Sequence, residues 1–77
     1  MVIAYLLISV NSGYEMGVAK KLMEFNEVND VHLIYREYNI IAEINMSLNK
    51  LQEFLIEKIR NIKGVRYTST LLTTDSI

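Results

Sequence analysis

The chain has 77 residues, 51% of them hydrophobic, a formal net charge of −1 and no cysteine. That length builds one small domain, whose stability must come from its core or from self-association, since disulfides are ruled out. The charge balance excludes a polybasic footprint for DNA, RNA or anionic membrane, and the missing thiols exclude cysteine nucleophiles and thiolate metal sites.

"VIAYLLISV" (Val2 to Val10) predicts a strand. It is β-rich and apolar on both alternating sets, as expected for a strand buried on both sides of its sheet. Its apolar run is too short to span a bilayer, and no charged region precedes it as in a secretion signal. Together with the lack of cysteine, this leads us to expect a soluble, cytoplasmic protein that begins at its own start methionine.

"SGYE" (Ser12 to Glu15) has the serine-to-glutamate spacing of a capping box and predicts a helix start. Met16, Ala19, Leu22 and Met23 follow at helical spacing as its apolar face, and the helix is expected to fray near Asn26. "VHLIY" (Val31 to Tyr35) predicts a second strand. "IIAEINM" (Ile40 to Met46) predicts a third. The connection between them, Arg36-Glu37-Tyr38-Asn39, has two charges, a tyrosine and an amide but no glycine or proline.

Ser47 is placed to cap a second helix, whose apolar face is Leu48, Leu51, Phe54, Leu55, Ile59 and Ile62. Gly64 ends that helical region. "VRYTSTLLTT" (Val65 to Thr74) predicts the fourth strand, and Asp75 to Ile77 are expected to be a loose end. "NEVNDVHLIY" and "RNIKGVRYTS" echo each other: Val28 aligns with Ile62, Asp30 with Gly64 and Val31 with Val65. Two such βαβ halves predict an α+β, ferredoxin-like βαββαβ domain, a four-stranded antiparallel sheet with two helices on one face. Two helices cover only one side of that sheet. The first strand is apolar on both, so the expected solution is a second copy packed sheet against sheet.

The chemistry-bearing residues are few. His32 is the only histidine, with Asp30 nearby, and no metal constellation or nucleophile, base and orienting acid can be assembled around it. "NSGYEMG" lacks the glycine spacing of a phosphate loop. The five tyrosines suit base stacking in principle, but the aromatic motif of RNA-binding sheets is absent, and core or interface packing is the better reading. Two clusters remain, Arg36 to Asn39 and "YTST" (Tyr67 to Thr70). Each alone reads most simply as a polar turn or a β-prone edge. Together they supply a tyrosine, an amide and hydroxyls able to hydrogen-bond a small zwitterion.

At this point the whole chain resembles a known family: the RAM domain, the effector-binding and oligomerisation domain of the Lrp/AsnC feast/famine regulators. The resemblance rests on the element order and on "YREYNIIAEI", where the family has a Gly-x-Tyr/Trp-Asp hairpin. It also rests on "LQEFLIEKIRNIKGV" and on "GVRYTSTLL", where the family has Gly-Val-x-x-Thr-x-Thr. Arg36 stands where the family often has glycine, and Asn39 where it has aspartate.

The resemblance implies a stand-alone RAM domain over 1–77, with no N-terminal helix-turn-helix domain and no direct DNA binding. It implies no catalysis, no metal and no cofactor. It also implies a homodimer formed through the sheet, assembly into a ring of dimers, an amino-acid effector, and co-assembly with or modulation of a full-length Lrp/AsnC-type regulator. Carried over by position, the effector contacts are Tyr38, Asn39, Thr68 and Thr70, flanked by Arg36 and Glu37. The alternatives are a pure assembly module with a decayed ligand site, a small dimeric ferredoxin-like enzyme such as a cofactor-free monooxygenase, or the related amino-acid-binding ACT domain.

Overall fold

The computed structural model describes residues 2–73. Its elements run β1 (Val2–Val10), α1 (Glu15–Met23), β2 (Val28–Leu33), β3 (Ile40–Met46), α2 (Leu48–Phe54) continuing into a π-helical turn (Leu55–Ile59), and β4 (Val65–Leu72). The strands form one antiparallel sheet, as the sequence predicts, in the order β2-β3-β1-β4, so β1 and β3 are central.

Alternation along the strands sorts the side chains onto two faces. Ala4, Leu6, Ile8, Ile40, Ala42 and Ile44 are buried on the helix side, against Val18 and Leu22 of α1 and Leu51, Phe54 and Ile59 of the second helical segment. Phe25 meets Phe54 edge-on, with ring centroids 5.4 Å apart, closing the core between the two helices. The opposite face carries Ile3, Tyr5, Leu7, Ile41, Tyr67 and Leu71, each at least partly exposed. No element among the described residues covers it.

Several local expectations are corrected. Helix α1 starts at Glu15, with Tyr14 at the N-cap. Ser12 therefore does not cap it; instead Glu15 Oε1 accepts the Gly13 amide hydrogen at 2.9 Å. Leu22 is buried and Ala19 packs against the core as the spacing predicts, but Val18 is the other buried residue of α1, Met16 and Met23 are exposed, and the helix ends at Met23. Strand β2 begins at Val28 and ends at Leu33, so Tyr35 lies in the connection and is 95% exposed. Thr74 and the expected loose end lie outside the described residues.

The second helical segment has a feature that spacing does not reveal. Its ladder widens after Phe54, and the Arg60 amide bonds the Leu55 carbonyl at 3.0 Å, five residues back. The Asn61 side-chain amide donates to the Glu57 carbonyl at 2.8 Å as the helix ends. Ile59, within the wider turn, is buried in the core together with Leu51 and Phe54. Gly64 then adopts φ +100, and its carbonyl accepts the Asn11 amide hydrogen at 2.8 Å, tying the two strand–helix corners together.

Candidate functional site

The connection from Leu33 to Ile40 is held mainly by Asn39. Its backbone carbonyl accepts from the Ile34 amide, and its own amide donates to the Ile8 carbonyl, both at 2.9 Å. Its side-chain Oδ1 accepts from the Val10 amide, again at 2.9 Å. An asparagine carbonyl is a neutral acceptor of the right length to continue the β1–β3 ladder past its last backbone pair. The loop is therefore anchored at Asn39. Arg36 and Glu37 stand exposed, without a hydrogen bond or ion pair among the described residues.

Tyr38 is half-buried and meets Tyr67 of β4 edge-on, with ring centroids 5.6 Å apart. Tyr67 is the register partner of Ser9, which alternates with the helix-facing Ile8, so this aromatic pair sits on the face away from the helices. The Arg66 guanidinium carbon lies 5.5 Å from the centroid of the Tyr67 ring.

The two threonines point the other way. Thr68 pairs with Ile8 and Thr70 with Leu6, and both partners are fully buried beneath the helices. Thr68 and Thr70 are half-buried on that helix-facing side of β4. The structure thus brings Tyr38 and Asn39 together, and places Thr68 and Thr70 on the opposite side of the sheet. Within one chain the six candidate residues do not converge on one small ligand.

Sequence reasoning missed two groups near these residues. Arg60, from the end of the second helical segment, and Arg66 line one shallow cleft with Val65, Tyr67 and Thr68. Neither arginine is ion-paired among the described residues. Guanidinium groups suit carboxylates. The available signal was the helix-end and strand-start positions of two arginines that the echo "RNIKGVRYTS" brings close in the fold.

His32 lies on β2, with Nε2 3.0 Å from Asp30 Oδ2 and both side chains largely exposed. Among the described residues no three His, Cys, Asp or Glu side chains are grouped to hold a metal ion. No helix there is long and apolar enough to cross a membrane.

Comparison with known proteins agrees with this fold. The family model of the Lrp/AsnC ligand binding domain matches residues 3–77. The uncharacterized HTH-type transcriptional regulator PF1231 of Pyrococcus furiosus is 31% identical over 95% of this chain and 50% of that protein. The chain spans about half the length of the curated relatives it matches. The crystal structure of FFRP-DM1 superposes with a TM-score of 0.91 at 33% identity, covering 96% of this chain and 100% of that one. A transcriptional regulator of Neisseria meningitidis, NMB0573, solved as a complex with L-Met, shares the fold with a TM-score of 0.87. It is 14% identical over 99% of this chain and 51% of that chain.

Proposed function

The chain belongs to the Lrp/AsnC ligand-binding domain family, and from that premise we propose that it is a non-enzymatic module that binds an amino-acid effector and oligomerises in transcription regulation. The observation that carries this reading is the match to a ligand-binding domain across residues 3–77. The relatives are transcriptional regulators about twice as long, which supports a role exercised in the cytoplasm by co-assembly with a full-length Lrp/AsnC-type regulator.

The assembly proposed is a homodimer formed through the uncovered apolar sheet face, and a ring built from such dimers. The effector site proposed consists of Tyr38, Asn39, Thr68 and Thr70, with Arg36 and Glu37 at its margin. Since the Tyr38 ring and the threonines lie on opposite sides of one sheet, the site is completed between copies. Calorimetric titration with each of the twenty amino acids, run beside light scattering, tests both parts. Heat from one or a few amino acids on an oligomer is expected. A stable monomer, or an oligomer silent to all twenty, overturns the corresponding part.

One observation favours a second reading, an assembly module whose ligand site has decayed. The Asn39 Oδ1 already accepts the Val10 amide hydrogen, so the acceptor expected to face an effector is used within the fold. An oligomer that binds no amino acid is the outcome this reading requires.

A further inference from the structure

The uncovered sheet face has an uneven distribution of charge. Its β2 edge contributes Asp30 and His32, joined at 3.0 Å. From β3 comes Glu43, half-buried, the register partner of both Asp30 and Tyr5, and hydrogen-bonded by Asn29 Nδ2 at 3.3 Å. Asp30, His32, Glu43, Tyr5 and Ile41 line one shallow depression on this face. Strand β1 carries no charged residue. The only cation on β4 is Arg66, beside Tyr67 at the far edge of the sheet. Among the described residues, the β2–β3 half of the face therefore holds two carboxylates and a single imidazole.

Resting on the sheet-to-sheet pairing proposed above, we infer that His32 makes the association of two copies proton-dependent, with the imidazolium form favoured in the pair. A two-fold contact is self-complementary, so the second copy brings the same Asp30, His32 and Glu43 to the contact. With His32 neutral, the pairing gathers, among the described residues, four carboxylates and no cation in that half of the interface while water is withdrawn from it. Buried charges that lack partners are costly. With His32 protonated, each copy offers a donor to the Asp30 and Glu43 carboxylates, and the same face becomes complementary to itself.

The direction follows from linkage. Packing His32 among more carboxylates favours its charged form in the pair over the free chain, so protons are taken up on association. Association is then tighter at lower pH and weakens as pH rises. Tyr5 and Ile41, which flank the depression, add apolar surface at either pH and no opposing charge.

The test is concentration-dependent urea unfolding with sedimentation, at about pH 6 and about pH 8. Uptake of one proton per dimer is worth up to a decade of affinity per pH unit. The intact chain is expected to associate at least about tenfold more tightly at the lower pH. His32→Asn should remain a dimer with nearly the same affinity at both. Asp30→Asn should associate more tightly than the parent at the higher pH and lose most of the pH response; its Oδ1 still serves the Val31 amide, which Asp30 accepts at 3.0 Å. A dimer whose affinity ignores pH, or a pH response unchanged in His32→Asn, overturns the proton dependence and leaves the pairing intact. A monomer at both pH values overturns the pairing and the inference with it.

Discussion

Asn39 and Val10, twenty-nine residues apart, are joined by a 2.9 Å hydrogen bond from the Val10 amide to the Asn39 Oδ1. That bond closes the end of the central β1–β3 pair and anchors the six-residue connection before β3. It also makes Asn39 a structural residue before any ligand arrives.

The first prediction follows. Asn39→Ala leaves the half-buried Val10 amide without its acceptor and should destabilise the fold by about 1–3 kcal/mol. Asn39→Asp keeps Oδ1 as an acceptor and should cost less than half of that. Urea unfolding of the three proteins at one concentration checks it. An alanine variant as stable as the parent would show that the bond contributes nothing.

Two glycines with positive φ differ in what surrounds them. Gly64 has φ +100, and a Cβ there would lie 2.5 Å from Tyr14 Cβ; Gly13 has φ +92 and nothing within 4 Å. Gly13→Ala should cost only the backbone penalty, about 1–2 kcal/mol. Gly64→Ala adds a steric clash with a Cβ that cannot swing away, and should cost roughly 2–5 kcal/mol. Thermal and urea unfolding of the two variants separate the terms, and equal losses would mean that the Tyr14 contact relaxes freely.

The uncovered sheet face gives the third prediction. Leu7 and Ile41 are register partners at its centre and are partly exposed in the single chain. Ile41→Asp should leave the monomer fold intact, since the helix-side core is untouched. It should weaken self-association by roughly a hundredfold or more, because each copy then buries a further carboxylate beside Asp30 and Glu43. Sedimentation with circular dichroism reads both quantities, and an unchanged association would exclude this face as the contact.

A fourth prediction concerns nucleic acid. With a net charge of −1, the protein alone should give no discrete shifted complex with duplex DNA, even at low salt, where phosphate contacts are strongest. A discrete band would count against a role confined to binding and assembly.

Much of the fold was legible because its signals are local and periodic. Ile40, Ala42 and Ile44 alternate with Ile41, Glu43 and Asn45, and this alone fixes β3 and its two faces. Other features depend on tertiary contacts. Met16 and Met23 have the spacing of a buried stripe, but Val18 and Leu22 are the α1 residues that meet the sheet, so helix rotation was decided by packing. The π-helical turn leaves no trace in composition, since Leu55 and Ile59 also fit an ordinary helix. Strand β2 starts early because Val28 pairs with Ile44 across a bulge, and "EVND" has too little β propensity to announce it. Within the candidate site, the sequence supplies residue types but not sidedness. The bulge between Ser9 and Val10 shifts the register at the start of β4. The side of the sheet that Tyr67 or Thr68 faces then depends on pairing with a strand more than fifty residues away.

The last prediction joins the hairpin to ligand binding. A free amino acid presents an ammonium and a carboxylate together. Asn39 offers a neutral carbonyl, already accepting the Val10 amide hydrogen, and an amide donor. Aspartate at this position retains one oxygen for Val10 and frees a second, charged one for an ammonium group. A charged acceptor is worth very roughly 1 kcal/mol more than a neutral one, so Asn39→Asp should tighten amino-acid binding by up to about tenfold. Thr70 lies across the sheet from Tyr38, on the helix side, so Thr70→Ala should weaken the same binding only if a second copy brings its threonine to the hairpin. In that case the loss must disappear when Ile41→Asp dissociates the copies. Calorimetry on the parent, Asn39→Asp, Thr70→Ala and Ile41→Asp/Thr70→Ala decides among these outcomes. Tight binding by the parent that neither Asn39→Asp nor Thr70→Ala alters would place the effector elsewhere, with the cleft of Arg60, Arg66 and Thr68 as the next surface to mutate.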